Sequence, residues 1–519
     1  MPDDIGEECG LAAISMKENG NAENRGLFYL YKMLLNLQHR GQLSAGVTTY
    51  NKNRPQIIDT LRNIGTVNEV FSTSSTDRSA QIFKRYSGTR GIGHVRYATS
   101  GLNERRFAHP FERHHGRLWK WFSFGFNGNL VNYYALREEL QKKKDYHFSL
   151  DNDTEIIMHY IAKEMDGDKR PSLTTVFSNL SRRFEGAYNV NYLNAYGEVA
   201  ITRDPLGFRP ACYAIQDGNF AAASESVALQ NIGFEDIKSL EPGHIAHVEN
   251  GDIKIEQYAK SKGRAHCMFE WVYFSNVASI LDGKSVYLTR TNLGKELAKL
   301  ETQKMDANCV CIPVPDSAKA AGDAYAYTLG IPSVEGLIRN RFVGRTFIES
   351  TSRADKIRSK YTIIKEVVRD KRIFLVDDSV VRGSTTIELV QSLKRAGARE
   401  VHVRVTCPAI IGPCFYGIDM STVSELIAPR FMDEPSDQMP EASAKKLAKF
   451  LGADSVVYQT VSGLIRAIGL PKKQLCTACL TREYPTPTGE ELIQISLKNF
   501  REGKPEDGRT IEMMKGCHC

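Results

Sequence analysis

Apolar residues fall into two different arrangements along this chain, and the change between them divides it. From position 9 to about 260 the sequence reads as short apolar runs between Gly-rich turns, the pattern of strands. Runs at 45–50, 91–97, 188–194, 199–203 and 244–248 are predicted strands. Two stretches break this pattern with helical spacing. At 24–38, Leu27, Leu30, Met33, Leu34 and Leu37 fall on one helical face, and at 153–164 Ile156, Ile157, Ile161 and Ala162 behave alike. From about Gly263 the pattern becomes short apolar runs alternating with helices. Predicted strands at 309–314, 373–376 and 401–405 alternate with predicted helices at 318–329 and 386–396. That alternation is the signature of a parallel α/β sheet.

A chain of 519 residues is too long for one ordinary core, so two large domains are expected. The net charge of +7 comes without a block of Lys and Arg interleaved with aromatics, so no nucleic-acid partner is expected. A modest cation excess instead suits an anionic small molecule. No window of 18 or more residues is apolar throughout, so no membrane span is expected. The first residues, Met1-Pro2-Asp3-Asp4-Ile5-Gly6-Glu7-Glu8, are acidic and lack the apolar core of a secretory signal. Eleven cysteines are too sparse for a disulfide scaffold, which leaves catalysis, metal binding or core packing in a reducing, cytoplasmic compartment.

The densest chemistry lies at 373–386, Ile-Phe-Leu-Val-Asp-Asp-Ser-Val-Val-Arg-Gly-Ser-Thr-Thr. An apolar strand ends in two acids and opens through small and hydroxylic residues into a helix N-terminus. Such a turn points backbone N–H groups and hydroxyls at one spot, which suits a phosphate. Asp377 and Asp378 are placed to hold ribose hydroxyls or a divalent ion carried by a phosphate. The run resembles the phosphoribosyl-diphosphate loop of type I phosphoribosyltransferases. The segment at 336–348 and the basic stretch of Arg353, Lys356, Arg358 and Lys360 resemble the amidophosphoribosyltransferase pattern, in which a flap covers the diphosphate.

In the first half the motifs are Glu8-Cys9-Gly10-Leu11-Ala12-Ala13-Ile14, Gln38-His39-Arg40-Gly41-Gln42, Gly93-His94-Val95-Arg96-Tyr97-Ala98-Thr99, Asn127-Gly128-Asn129-Leu130 and Asp153-Thr154-Glu155. Alone, Asn127-Gly128 is a hairpin-turn signal and Cys9 a small buried hydrophobe. Together the motifs resemble class II glutamine amidotransferases, N-terminal-nucleophile hydrolases with two sheets between helix layers. The resemblance implies that Cys9 becomes the first residue after cleavage at Glu8–Cys9, with its own α-amine as general base. It implies that Arg96 grips the glutamine α-carboxylate, that Asp153 pairs with its α-ammonium, and that Asn127 and Gly128 form the oxyanion hole. Phe126 stands where that family usually has His, and Leu43 where an acid commonly follows Arg-Gly-Gln.

Both halves, in this order, resemble the glutamine phosphoribosyl-diphosphate amidotransferase family over about 7–487. The implied fold is a four-layer αββα domain at 9–262 after a 1–8 propeptide, then a parallel α/β phosphoribosyltransferase domain at 263–470. The remainder, 471–519, carries a Cys476-Thr477-Ala478-Cys479 pair, which alone signals a redox, zinc or incidental motif. In the iron–sulfur branch of the family that pair, with the positions of Cys267 and Cys414, binds a [4Fe–4S] cluster. Zinc is the competing occupant. Cys212, Cys309, Cys311 and Cys407 are expected in the core, while Cys517 and Cys519 lie past the resemblance.

The resemblance also implies Mg²⁺ at Ser317, Asp377 and Asp378, and phosphoribosyl diphosphate on Asp377, Asp378, Ser379, Arg382, Gly383, Ser384, Thr385, Arg358 and Lys360. Glutamine, feedback purine nucleotides and a homotetramer complete the implied partners. Arg339 replaces the more frequent Lys, and Asn276-Val277 replaces Arg-Pro after Tyr273-Phe274-Ser275. The alternatives are a non-catalytic nucleotide-binding regulator, or a pathway-specific paralogue of the same fold.

Overall fold

The structure is a computed structural model that describes residues 9–17, 25–97, 104–142, 146–150, 152–261, 263–340 and 360–504. The expected propeptide, Arg353, Lys356, Arg358, Cys517 and Cys519 lie outside the described residues.

The first half is built from thirteen strands: β1 (Gly10–Ser15), β2 (Ser44–Tyr50), β3 (Ile58–Ile64), β4 (Arg90–Arg96), β5 (Phe111–Arg113), β6 (Phe122–Leu130), β7 (Gly186–Asn194), β8 (Val199–Thr202), β9 (Cys212–Gln216), β10 (Asn219–Ala223), β11 (Lys238–Ser239), β12 (His244–Glu249) and β13 (Asp252–Gln257). They form an antiparallel seven-stranded sheet, β11-β9-β10-β1-β4-β2-β3, and a six-stranded one, β13-β12-β8-β7-β6-β5.

Side-chain alternation explains why the two sheets stack. In β1, Ala12 and Ile14 face the helix Arg25–Asn36 and its Leu27, Leu30, Met33 and Leu34. Leu11 and Ala13 point the other way, onto Leu193, Val199 and Ile201 of the second sheet. Phe122, Phe124 and Phe126 of β6 in turn face the helices Asp153–Glu164 and Leu173–Ser181. The layers are therefore helix, sheet, sheet, helix. Burial of each large apolar side chain contributes about 1.5–3 kcal/mol relative to exposure, so the four from Arg25–Asn36 fix that layer.

The second half centres on a four-stranded parallel sheet in the order Cys309–Pro313, Arg372–Asp377, Glu400–Val405, Ser455–Tyr458. Its strands are largely buried, as helices on both faces require. The buried polar residues of Glu400–Val405 are paired, Arg404 with Glu301 and His402 with Ser455. The helix after the phosphate loop starts at Ser384, two residues before the expected position. Gly383 causes this: its φ of +84° turns the chain into the helix at once.

The C-terminal segment ties the halves together. Leu475–Cys476 pairs in parallel with His266–Cys267, placing Cys476 opposite Cys267. Farther on, the helix Pro487–Arg501 starts against Glu185 of the first half. The Thr488 N–H and hydroxyl donate to the two Glu185 carboxylate oxygens at 2.7 and 2.9 Å, and an anion suits that helix end. No helix among the described residues is long and apolar enough to cross a membrane.

Candidate active site

The residues expected to bind glutamine come from four separate elements, and Cys9, Arg96 and Asp153 come together. Cys9 immediately precedes β1, and its thiol lies 3.6 Å from the carbonyl oxygen of Tyr97, just past β4. Arg96 ends β4 and is buried, its guanidinium 5.7 Å from the Phe107 ring. Burial lowers the Arg96 pKa, and Cys9 and Asp153 both oppose that shift, so all three groups share one electrostatic neighbourhood. Asp153 opens its helix, which Asn152 caps by accepting the Glu155 N–H at 3.0 Å.

Asn127 and Gly128 are not in a hairpin turn. They lie inside β6, opposite Asn189 and Tyr188 of β7. Gly128 has φ of +141°, and a Cβ there would sit 2.0 Å from the Ala187 carbonyl oxygen, so no other residue fits. The Asn127 side-chain amide is buried with no hydrogen-bond partner among the described residues. A buried N–H left unspent costs about 1–3 kcal/mol. An N–H left free in this way is available to an oxygen that enters from outside.

The phosphate loop forms where expected. Asp377 and Asp378 are both buried at the strand tip. The Asp378 N–H donates to Asp377 Oδ1 at 2.9 Å, Ser379 donates to Asp378 Oδ2 at 2.6 Å, and Ser317 donates to Asp378 Oδ1. Ser384 opens the helix Ser384–Arg395, and its buried hydroxyl has no hydrogen-bond partner among the described residues. Thr385 follows it in the first turn. Arg382 turns away, donating to Glu425 Oε2 at 2.9 Å and to the Asp419 carbonyl at 3.1 Å, so it braces the loop from outside. Lys360 holds its ammonium 5.5 Å over the Tyr361 ring.

Between the two sites runs a buried charge network whose members were not assigned from the sequence. Arg40 donates from Nε to the Cys9 carbonyl at 3.1 Å, from Nη1 to Glu225 at 2.6 Å, and to Glu270 from both terminal nitrogens at 3.0 and 2.8 Å. Burial works to raise the Glu225 carboxyl, yet His39 and Arg40 hold it well below the usual range. Glu225 also accepts the Asn276 N–H and the Ser279 hydroxyl. Arg290 then clasps the carbonyls of Trp271, Tyr273 and Ser275 at 2.8–3.0 Å. Burial lowers Arg290, opposed by the charges of Asp378 and Glu225. A signal for Arg290 existed: it falls on the buried stripe Val286, Leu293 and Leu297 of its helix, where a charge must be paired.

Comparison with known proteins accounts for this pairing of sites. A glutamine amidotransferase domain model matches residues 62–234. The amidophosphoribosyltransferase of Methanothermobacter thermautotrophicus is 36% identical, over 95% of this chain and 97% of its own. That of Pyrococcus horikoshii is 39% identical over 88% of this chain and 93% of its own. The chain belongs to the amidophosphoribosyltransferase family.

Two solved structures agree. The glutamine phosphoribosylpyrophosphate amidotransferase from B. subtilis, complexed with ADP and GMP, superposes with a TM-score of 0.78 at 32% identity, covering 92% of this chain and 98% of that one. A structure described as the allosteric regulatory enzyme of purine biosynthesis gives 0.80 at 33%, covering 92% and 97%.

Three departures from the amidophosphoribosyltransferase pattern make polar contacts through the backbone, and a fourth, Arg339, through its side chain. Phe126 packs into the outer core of its sheet while its carbonyl accepts a bond from His94 at 2.9 Å. Leu43 contributes its N–H to the Arg96 carbonyl at 3.1 Å. Asn276 serves through its N–H on Glu225, and Arg339 pairs with Asp316 at 3.3 Å.

Cys267, Cys414, Cys476 and Cys479 line one cavity with Phe208, Tyr416 and Tyr484. Burial pushes the Cys476 thiol up to about 12. Cys212, Cys309, Cys311 and Cys407 are buried, as expected of core residues. Cys212 and Cys311 donate to the carbonyls of Ala223 and Gly322, each at 3.4 Å.

Proposed function

We propose that this chain makes 5-phosphoribosylamine, glutamate and diphosphate from glutamine, water and phosphoribosyl diphosphate, the first committed step of purine synthesis. The observation that carries it is the shared electrostatic neighbourhood of Cys9, Arg96 and Asp153, in a fold that also holds a buried Asn127 side-chain nitrogen with no hydrogen-bond partner among the described residues and the Asp377–Asp378 loop.

Cleavage at Glu8–Cys9 frees an α-amine beside the thiol. The amine takes the thiol proton, and the thiolate attacks the glutamine γ-carboxamide carbon. Asn127 and the Gly128 N–H stabilise the oxyanion, and removing one such donor typically costs about 10²–10³ in rate. Ammonia leaves with the proton returned by the amine, and water releases glutamate from the thioester. Arg96 and Asp153 hold the α-carboxylate and α-ammonium.

At the second site ammonia attacks C1 of phosphoribosyl diphosphate and displaces diphosphate. Asp377 and Asp378 hold the ribose hydroxyls, and Ser379 to Thr385 take the 5′-phosphate on N–H groups and hydroxyls. The positive charges of Arg358 and Lys360 are the expected partners of the diphosphate. Mg²⁺ neutralises the departing diphosphate when bound. The oxygen donors of Ser317, Asp377 and Asp378 fit it, because Mg²⁺ takes one or two carboxylates and draws its other ligands from substrate and water.

The four cavity cysteines suit a [4Fe–4S] cluster better than zinc. Among the described residues, no three His, Cys, Asp or Glu side chains are arranged to hold a single ion, yet four thiols border one cavity. A multi-atom cluster needs that wider spacing, and zinc draws its thiolates to about 2.3 Å from one point. The cluster would pin 471–504 to both domains. Purified anaerobically, the protein should be brown with iron and sulfide near four per chain. Cys476→Ser should lose the colour and lower the unfolding midpoint; colourless wild-type protein with zinc would reverse the assignment.

Purine nucleotides as feedback ligands are supported by the ADP and GMP of the B. subtilis relative. A homotetramer and a cytoplasmic location rest on the family likeness.

The test is an anaerobic assay of purified protein with glutamine, Mg²⁺ and phosphoribosyl diphosphate, and a second with ammonia replacing glutamine. Diphosphate should be released in both, with glutamate in the first. No diphosphate in either assay would refute the synthase, and release with ammonia alone would refute the glutaminase. Intact mass should show loss of Met1 through Glu8 in active protein.

A further inference from the structure

Two imidazoles that the chemistry above does not use lie stacked beside the glutamine site. His94, in β4, and His109 have ring centroids 4.2 Å apart and planes 20° apart. Both are buried. His94 Nε2 is 2.9 Å from the carbonyl oxygen of Phe126, the residue before Asn127. A carbonyl only accepts, so His94 carries its proton on Nε2 and donates it there. His109 Nε2 is 3.3 Å from the hydroxyl of Thr154, the residue after Asp153. His94 is itself two residues before Arg96, on the same strand and the same face. One stack therefore reaches the three chain segments that carry Asn127, Asp153 and Arg96.

Packing alone does not explain imidazoles here. The Nδ1 atoms of both rings are buried with no hydrogen-bond partner among the described residues. Each such atom costs about 1–3 kcal/mol, and a pair of Phe rings fills similar space without that cost. What the imidazoles add is a directional bond at each Nε2 on a flat, stackable body. Burial lowers the His94 pKa to about 3, outweighing the bond to the Phe126 carbonyl. Burial, then the neighbouring His94 and the Arg96 charge, hold His109 well below its ordinary value. Both rings are neutral across the neutral pH range, and the stack repels no charge.

We propose that His94 and His109 form a positioning clamp that sets the spacing of the oxyanion donor, the ammonium partner and the carboxylate partner around glutamine. This rests on the glutaminase reading above and adds two residues to it. Neither ring touches the reacting atoms; each acts through the backbone or side chain next to a residue that does. A misplacement of about 1 Å at such a site can cost about 10² in rate, which is ample reason for a dedicated clamp.

Steady-state kinetics of the matured full chain, with glutamine and separately with ammonia, test it. His94→Phe keeps a ring but deletes the donor to the Phe126 carbonyl. The glutamine kcat should fall about 10²-fold, as for a displaced oxyanion donor, with KM near its wild-type value. His109→Phe loses Thr154 instead, and the glutamine KM should rise about tenfold. His94→Gln restores a donor near the Nε2 position and should recover most of the kcat. Ammonia-dependent synthesis, the chemistry of the other domain, should hold in all three. Wild-type glutamine kinetics in both Phe variants would overturn the clamp. So would an equal fall with both nitrogen sources, which assigns the pair to fold stability alone. A wild-type chain active only with ammonia would instead sink the glutaminase reading, and the clamp with it.

Discussion

At the scale of single residues, the proposed glutamine site is marked by a donor with no partner among the described residues. Most buried amides spend their N–H groups on neighbours, and Asn191 does so on the carbonyls of Ala12 and Gly93 at 2.8 Å. Asn127, two strand positions from Asn129, does not. Asn127→Ala should therefore leave stability unchanged or slightly raised, since it removes a stranded polar group. The glutamine kcat should fall by about 10²–10³ while ammonia-dependent synthesis persists. Parallel unfolding curves and glutamate assays on the same preparation check both halves; equal loss of stability and rate would mean that Asn127 is structural.

At the scale of elements, the loop that carries the phosphate site depends on one glycine. Gly383 has φ of +84°, and a Cβ there would approach Ile427 Cδ1 to 2.4 Å. Gly383→Ala should cost about 1–3 kcal/mol in backbone strain and weaken phosphoribosyl diphosphate binding. A raised KM for that substrate with an unchanged glutamine site is the expected kinetic result. Elements with a strong period were legible in the sequence to within about two residues: 153–164 is the helix Asp153–Glu164, and 45–50 is Ser44–Tyr50. The strand β6 was not legible, because Gly125, Asn127 and Gly128 are poor strand formers and only pairing with β7 makes them one. Strand β13 is mostly exposed, and its alternation rests on Ile253 and Ile255 alone, too short a run to stand out. The candidates Cys9, Arg96, Asp153, Asp377 and Asp378 each sit in a short local signature, which is what singles them out in the sequence. The roles of Arg40 and Arg290 were not legible there: Arg40 meets Glu225 and Glu270 across 185 and 230 positions, distances that no local pattern spans.

At the scale of the whole molecule, the domains meet through charge as well as apolar packing. Glu270 takes both terminal nitrogens of Arg40 and has Arg209 at 3.8 Å, with the Ser275 hydroxyl on its other oxygen at 2.6 Å. Glu270→Gln keeps the shape and removes a buried negative charge that faces two guanidinium groups, Arg40 and Arg209. Breaking such a buried pair costs about 3–5 kcal/mol, so the denaturant midpoint should drop well below that of the wild type. Replacement that leaves the midpoint unmoved would show that water or Glu225 alone satisfies Arg40.

The Arg40 bond to the Cys9 carbonyl bears on how such a protein is inherited and rebuilt. The arginine that holds the Cys9 carbonyl belongs to the first domain, and half of the charge that steadies the arginine belongs to the second. The glutaminase half is thus not a cassette that evolution or an engineer can move alone. A graft onto a foreign synthase must carry Arg40, Glu225, Glu270 and Ser275 as one package, or its host inherits a charge with nowhere to hide.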